Sequence, residues 1–216
     1  MTALRPLARL LARGLTVALI GGLLAGCISL LPKQKPAQLY RFGISAPPAA
    51  AGRAAGAAGF SVQAVPISFE RAAAGDAILT VTGDEAAYIA GSRWLTSASS
   101  LFEAAVTRAF DARGGPARLI PRGETVRADY ALKLDVRAFE ARYDHGQQAP
   151  PTVVVELYAG LVPRAGAAVG APPAQRIFQA AAPASENRAG AIAQAFDAAV
   201  AKVLGDLVVW VDAKGA

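Results

Sequence analysis

Cysteine and histidine occur once each, as Cys27 and His145, and methionine only as Met1. These shortages exclude chemistry. A lone thiol cannot close a disulfide within the chain, so the fold has to rest on its apolar core. With one imidazole and no second thiol, no HExxH or CxxC spacing exists from which a metal site could be built, and no cofactor motif is present. The signatures of an activated nucleophile, GxSxG and Ser-Xaa-Xaa-Lys, are also missing. Charge is sparse at 18% of residues. The formal net charge of +6 overstates the basicity, because Arg5, Arg9 and Arg13 fall in the first 26 residues and leave 19 cations against 16 anions in the rest. Those cations are scattered, without aromatic stacking platforms among them, so nucleic acid is not an expected partner.

The apolar core from Leu15 to Leu24 is about half of the roughly 18 to 20 residues that span a bilayer. Preceded by three arginines and followed by the small residues Ala25 and Gly26, it has the build of a secretory signal. The next residue is Cys27. The pattern Leu24-Ala25-Gly26-Cys27 resembles the lipobox of bacterial lipoproteins, in which the signal is cut before the cysteine and the sulfur is acylated. Several acyl chains on one residue exceed what stable membrane attachment needs. The expected organisation is therefore a signal peptide over residues 1–26, a lipidated cysteine and extended tether over 27–37, and one folded domain over 38–216. Pro32, Lys33, Lys35 and Pro36 keep the tether out of helix, and its ten residues after Cys27 reach at most about 35 Å.

Within the domain, Gln38 to Ile44 alternates with Tyr40, Phe42 and Ile44 on one side, as a half-buried strand does. Ser45 to Gly59 is nearly all Ala, Gly and Pro and is expected to be a loop; its glycines fit no phosphate-binding register. Phe60 to Ile67 resumes strand character. Ala77 to Thr82 and Ala86 to Ala90 flank Gly83-Asp84-Glu85 as a hairpin. Ser100-Leu101-Phe102-Glu103 has the form of a capping box, with Ser97 as an earlier alternative start, and Gly114-Gly115-Pro116 ends the helix. Leu119-Ile120 is a short extension. Asp129 to Phe139 sets Tyr130, Leu132, Leu134 and Val136 against Lys133, Asp135 and Arg137, one face core and one wet. Val153 to Val162 is apolar on both faces, which predicts a cover on each. A second Pro/Ala/Gly loop, Pro163 to Ala174, leads to a short strand around Ile177-Phe178. From Asn187 to Val211, Ile192, Phe196, Val200, Val203, Leu207 and Trp210 recur at helical spacing, and the polar face lacks the lysines of a membrane-surface helix. The expected fold class is α/β, a single domain with a mixed, largely antiparallel sheet of about seven strands and two main helices packed on it.

Candidate functional residues are few. Arg93-Trp94 is a candidate partner contact, since both types are common in binding hot spots; the blander expectation packs the indole under the following helix and leaves the arginine solvated. His145 lies in a loop of Asp, Gly, Gln and Pro that offers it no orienting group as a general base. Asp135 and Glu156 on neighbouring strands suggest paired carboxylates, but Lys133 and Arg137 beside them favour a charge ladder.

Taken together, the lipobox at Cys27, Leu39-Tyr40-Arg41-Phe42, Arg93-Trp94 before Leu101-Phe102, Tyr130-Ala131-Leu132 running to Phe139-Glu140, Arg176-Ile177-Phe178, and Ala195-Phe196-Asp197 with Trp210 resemble, in order and spacing, the PqiC-like ABC-type transport auxiliary lipoproteins. The resemblance implies a non-catalytic periplasmic domain of α/β type. Its partners would be membrane lipids through acylated Cys27, and an MCE-type substrate-binding protein with its permease and ATPase, which move lipids between the two membranes. Such an assembly is multimeric, which favours a homo-oligomer without fixing a copy number. The chain departs from the family pattern in its long loops at 45–59 and 163–174. Ile28 follows the cysteine in place of the aspartate that signals inner-membrane retention, so outer-membrane anchoring with the domain facing the periplasm is expected. The competing functions are a lipoprotein scaffold or assembly factor of another envelope machine, and a periplasmic hydrolase.

Overall fold

The computed structural model describes residues 36–45, 59–120, 124, 127–164 and 172–215, and from Ala37 on they belong to one compact unit. Cys27, the tether as far as residue 35 and most of both Ala/Gly/Pro loops lie outside the described residues. In chain order the elements are β1 (Gln38–Tyr40), β2 (Phe60–Ala64), β3 (Ser68–Phe69), β4 (Ala77–Thr82), β5 (Glu85–Trp94), α1 (Ala98–Arg113), β6 (Ala117–Ile120), β7 (Tyr130–Arg142), β8 (Thr152–Pro163), β9 (Ala174–Pro183) and α2 (Ala189–Gly215).

Strand β7 is the spine of a nine-stranded mixed sheet. One of its edges pairs antiparallel with β8 along its whole length, and β8 pairs antiparallel with β9. The other edge is shared by β2, β3 and β4 in succession, each too short to cover it alone and each parallel to it. Outward from these, β6 lies parallel to β2, β5 closes the hairpin with β4 around Gly83, and β1 lies parallel to β5. Antiparallel pairing thus joins β7, β8 and β9 and the β4–β5 hairpin, and the remaining pairings are parallel. The strand expected from Phe60 to Ile67 ends at Ala64, and Pro66, which has no N–H to donate, lies in the break before β3 begins at Ser68.

Period-two alternation buries Tyr130, Leu132, Leu134 and Val136. A register shift between Val136 and Ala138 then changes the phase, so that Phe139 and Ala141 face the core. Helix α2 lies across β8 and β9, and α1 packs against α2 and β6. Its breadth of contact explains why α2 buries Leu204, Val208 and Val211 in addition to the predicted stripe.

Four expectations need correction. Helix α1 is capped by Ser97, whose side chain accepts the Ser100 N–H at 3.2 Å, and Ser100 itself lies inside the first turn. The first strand stops at Tyr40, and beyond it Gly43, at φ +71°, breaks the expected alternation, so that Phe42 is buried and Ile44 exposed. Strand β9 runs for ten residues instead of a few. The outer side of β8 is covered only in part: Val154 is buried and Glu156 and Tyr158 are half-buried, but Val162 is 44% exposed, and the elements that chiefly touch β8 are β7, β9 and α2. On that outer side the Arg137 guanidinium sits 4.6 Å over the Tyr158 ring, so a long side chain does part of the work of a second layer.

Candidate functional site

The first described segment, residues 36–45, is held by an aromatic cluster and two polar clamps. Phe42 is fully buried, with its ring centroid 5.0 Å from that of Trp94 and 5.0 Å from that of Phe139. Phe196 of α2 closes the cluster at 5.2 Å from Trp94 and 4.7 Å from Phe139, and Phe102 of α1 joins through Phe69. The pairs of Trp94 with Phe42 and Phe196, and of Phe69 with Phe102 and Phe139, are edge-to-face, an arrangement that adds about 0.5–1.5 kcal/mol each beyond the area buried.

Directly after Phe42, the Arg108 Nε–H donates to the Gly43 carbonyl at 2.9 Å. The Ile44 N–H donates to Asp197 Oδ1 at 2.9 Å, the Ser45 N–H to the same oxygen at 3.4 Å, and the Ser45 hydroxyl to Oδ2. Residues 43–45 are therefore gripped by α1 on one side and α2 on the other. Gly43 is required twice, by its positive φ and because a methyl group on it would lie 2.5 Å from the Ala105 Cβ. Beside the clamp are two shallow grooves. One, of about 320 Å³, is lined by Leu39, Tyr40, Arg41, Ile44, Gly190 and Ala193; the other, of about 400 Å³, lies between the helices among Ala105, Ala109, Val200 and Leu204.

Arg93 and Trp94 part company in the structure. The indole is 2% exposed and belongs to the aromatic cluster, whereas Arg93 is half-exposed and pairs with Asp76 at 2.9 Å. His145 stands exposed in the turn between β7 and β8, and its imidazole has no hydrogen-bond partner among the described residues. The turn itself is pinned from outside: burial pushes the Tyr143 phenol up, so it stays protonated and donates to Asn187 Oδ1 at 2.7 Å, while the Asn187 amide donates to the Gln147 carbonyl. Asp135 and Glu156 lie on adjacent strands but not opposite each other. Asp135 faces Tyr158 and is paired with Arg137 at 3.2 Å; Glu156 faces Ala138. Among the described residues no group of three His, Cys, Asp or Glu could hold a metal ion, and no helix is long and apolar enough to cross a membrane.

A family model described as an ABC-type transport auxiliary lipoprotein component matches residues 42–208. The chain belongs to this family. Among solved structures it is similar to protein XCC0632 from Xanthomonas campestris, at 27% identity and a TM-score of 0.64 over 83% of this chain and 97% of that one. It also resembles in fold the hypothetical protein CT253 from Chlamydia trachomatis, at 9% identity and a TM-score of 0.50 over 74% and 99% of the two chains. No curated protein matches it. The family motifs turn out to be largely one physical object, since Phe42, Trp94, Phe102, Phe139 and Phe196 meet in one aromatic cluster. Sequence reasoning missed the roles of Gly43, Arg108 and Asp197 in the clamp. The only available signal was the position of Asp197 next to Phe196 in a family motif, and its partners lie some 150 residues away.

Proposed function

We propose that this family member is a membrane-anchored periplasmic accessory subunit of an MCE-type ABC system that moves lipids between the inner and outer membranes. The signal is cut after Gly26, Cys27 carries the acyl chains, and Ile28 directs the product to the outer membrane with the domain facing the periplasm. The domain over residues 38–216 acts by contact, without catalysis, on the substrate-binding protein and through it on the permease and ATPase. Of the Arg93-Trp94 pair, the guanidinium is the part a partner can reach.

The observation that carries this reading is the family match over residues 42–208, with a lipobox cysteine fifteen residues ahead of it. Crosslinking in the native host followed by mass spectrometry tests partner and modification together. Recovery of an MCE protein with a triply acylated amino-terminal Cys27 is the expected result. Components of an unrelated envelope machine, or a free Cys27 thiol behind an intact leader, would overturn it.

A further inference from the structure

We propose that the tether end of the domain is itself a bilayer-binding site, in which Leu39, Ile44 and Arg41 dock on anionic phospholipid. The inference deepens the proposed function, since acylation of Cys27 would determine which bilayer lies in reach.

Leu39 and Ile44 are 51% and 55% exposed, and together they line the groove beside β1. Ile44 also borders the apolar groove between α1 and α2. Leu95, 59% exposed, follows directly on β5, and its N–H donates to the Tyr40 carbonyl at 2.7 Å. The exposure of Ile44 is built in. Gly43 turns the chain, and Asp197 fixes the backbone on either side of that residue, so the side chain is presented outward by the same clamp that anchors the segment. A held aliphatic cluster on the surface calls for an apolar partner.

Charge and reach identify that partner. No Asp or Glu occurs between Cys27 and Glu70, while Lys33, Lys35 and Arg41 lie within fourteen residues of Cys27. Arg41 makes no ion pair among the described residues, and the one carboxylate lining the groove with it, Asp197, is turned to the backbone N–H groups of Ile44 and Ser45 and to the Ser45 hydroxyl. Cations interspersed with aliphatic side chains next to an acyl anchor match a bilayer with anionic headgroups, where each basic residue at the surface adds attraction. The twelve residues from Cys27 to Leu39 extend at most about 40 Å, so this end of the domain meets the bilayer first. Docking converts a loosely tethered domain into an oriented one, with β1 and the helix groove at the membrane and the β8–β9 side of the sheet turned to the periplasm.

The test uses residues 28–216 without any acyl chain, since the unit from Ala37 closes its own core. Cosedimentation with vesicles of phosphatidylglycerol and phosphatidylethanolamine should show binding that weakens with salt and is lost on pure phosphatidylcholine. The double variant Leu39→Ser with Ile44→Ser should bind about tenfold less, and Arg41→Glu should also weaken binding. Ile177→Ser, at a residue 53% exposed on β9 at the far side of the sheet, should bind as the parent does. Three results would overturn the proposal: no binding to anionic vesicles, an equal loss in Ile177→Ser, or a self-association that the double variant abolishes without any vesicle binding. Because the probe carries no lipid, an unmodified Cys27 in the native host would remove the tether and leave this site standing.

Discussion

Asp129 shows how far single residues bind distant parts of the chain. Its Oδ2 accepts both the Ser61 N–H and the Ser61 hydroxyl at 2.7 Å, and its own N–H donates to Ser61 Oγ at 3.0 Å, which ties β2 to the start of β7. The Ser61 N–H first and the hydroxyl second hold the carboxyl below its ordinary 3.8, against a smaller opposing effect of burial. A depressed folded value means that the contribution is present above the unfolded value and fades as pH falls through the folded one. Ser61→Ala should therefore raise the Asp129 titration midpoint in NMR and cost stability at neutral pH, with a smaller deficit once the carboxyl is protonated in both proteins. An unchanged Asp129 midpoint would contradict the bond. Gly43 permits a second test at this scale. Gly43→Ala adds backbone strain and the contact with Ala105, and should cost about 2–4 kcal/mol in urea unfolding. Adding Ala105→Gly should recover the contact part and leave the strain. Neither Gly43 nor Asp197 could be assigned from the sequence, because their meaning lies in partners that only the tertiary fold brings near.

At the level of elements, what repeats locally was legible and what depends on pairing was not. The stripe of α2, the alternation of β7 up to Val136, the Gly83 hairpin and the Gly114 stop all follow from short-range periodicity or turn chemistry. The bulge at Arg137 and the sharing of one β7 edge among three short parallel strands leave no periodic trace, since they are decided by which edge is free. The start of α1 was ambiguous because both Ser97 and Ser100 have cap chemistry; the chain enters at Ser97, with extended ψ of 142°. Ser97→Ala should cost about 1 kcal/mol and Ser100→Ala only a few tenths, read as shifts of the thermal midpoint. The other end of α1 is closed by Asp212 of α2, which accepts from Arg113 Nε at 2.6 Å and from the Ala117 N–H at 3.1 Å. Removing it in Asp212→Ala strands a mostly buried guanidinium and a backbone donor, and should cost about 3–5 kcal/mol by urea unfolding.

For the whole molecule, the family resemblance and the proposed job occupy different parts of the chain. Phe42 and Phe196 would stand roughly 500 Å apart in an extended polypeptide yet meet Trp94, Phe102 and Phe139 in one core, so a motif made of these residues reports the fold. Cys27 lies outside the described residues, and the role proposed for it is location alone. The two should separate on mutation. Phe139→Ala, at the centre of the aromatic cluster, should destabilise the domain by about 3–5 kcal/mol and lower the amount of protein in the envelope. Cys27→Ala should leave the unfolding midpoint of the domain unchanged, remove the acyl anchor and, at native expression, abolish envelope barrier function. If Cys27→Ala supports a normal barrier, the domain works wherever it diffuses and the tether mechanism fails. If barrier loss instead tracks protein amount alone across both variants, position contributes nothing beyond supply.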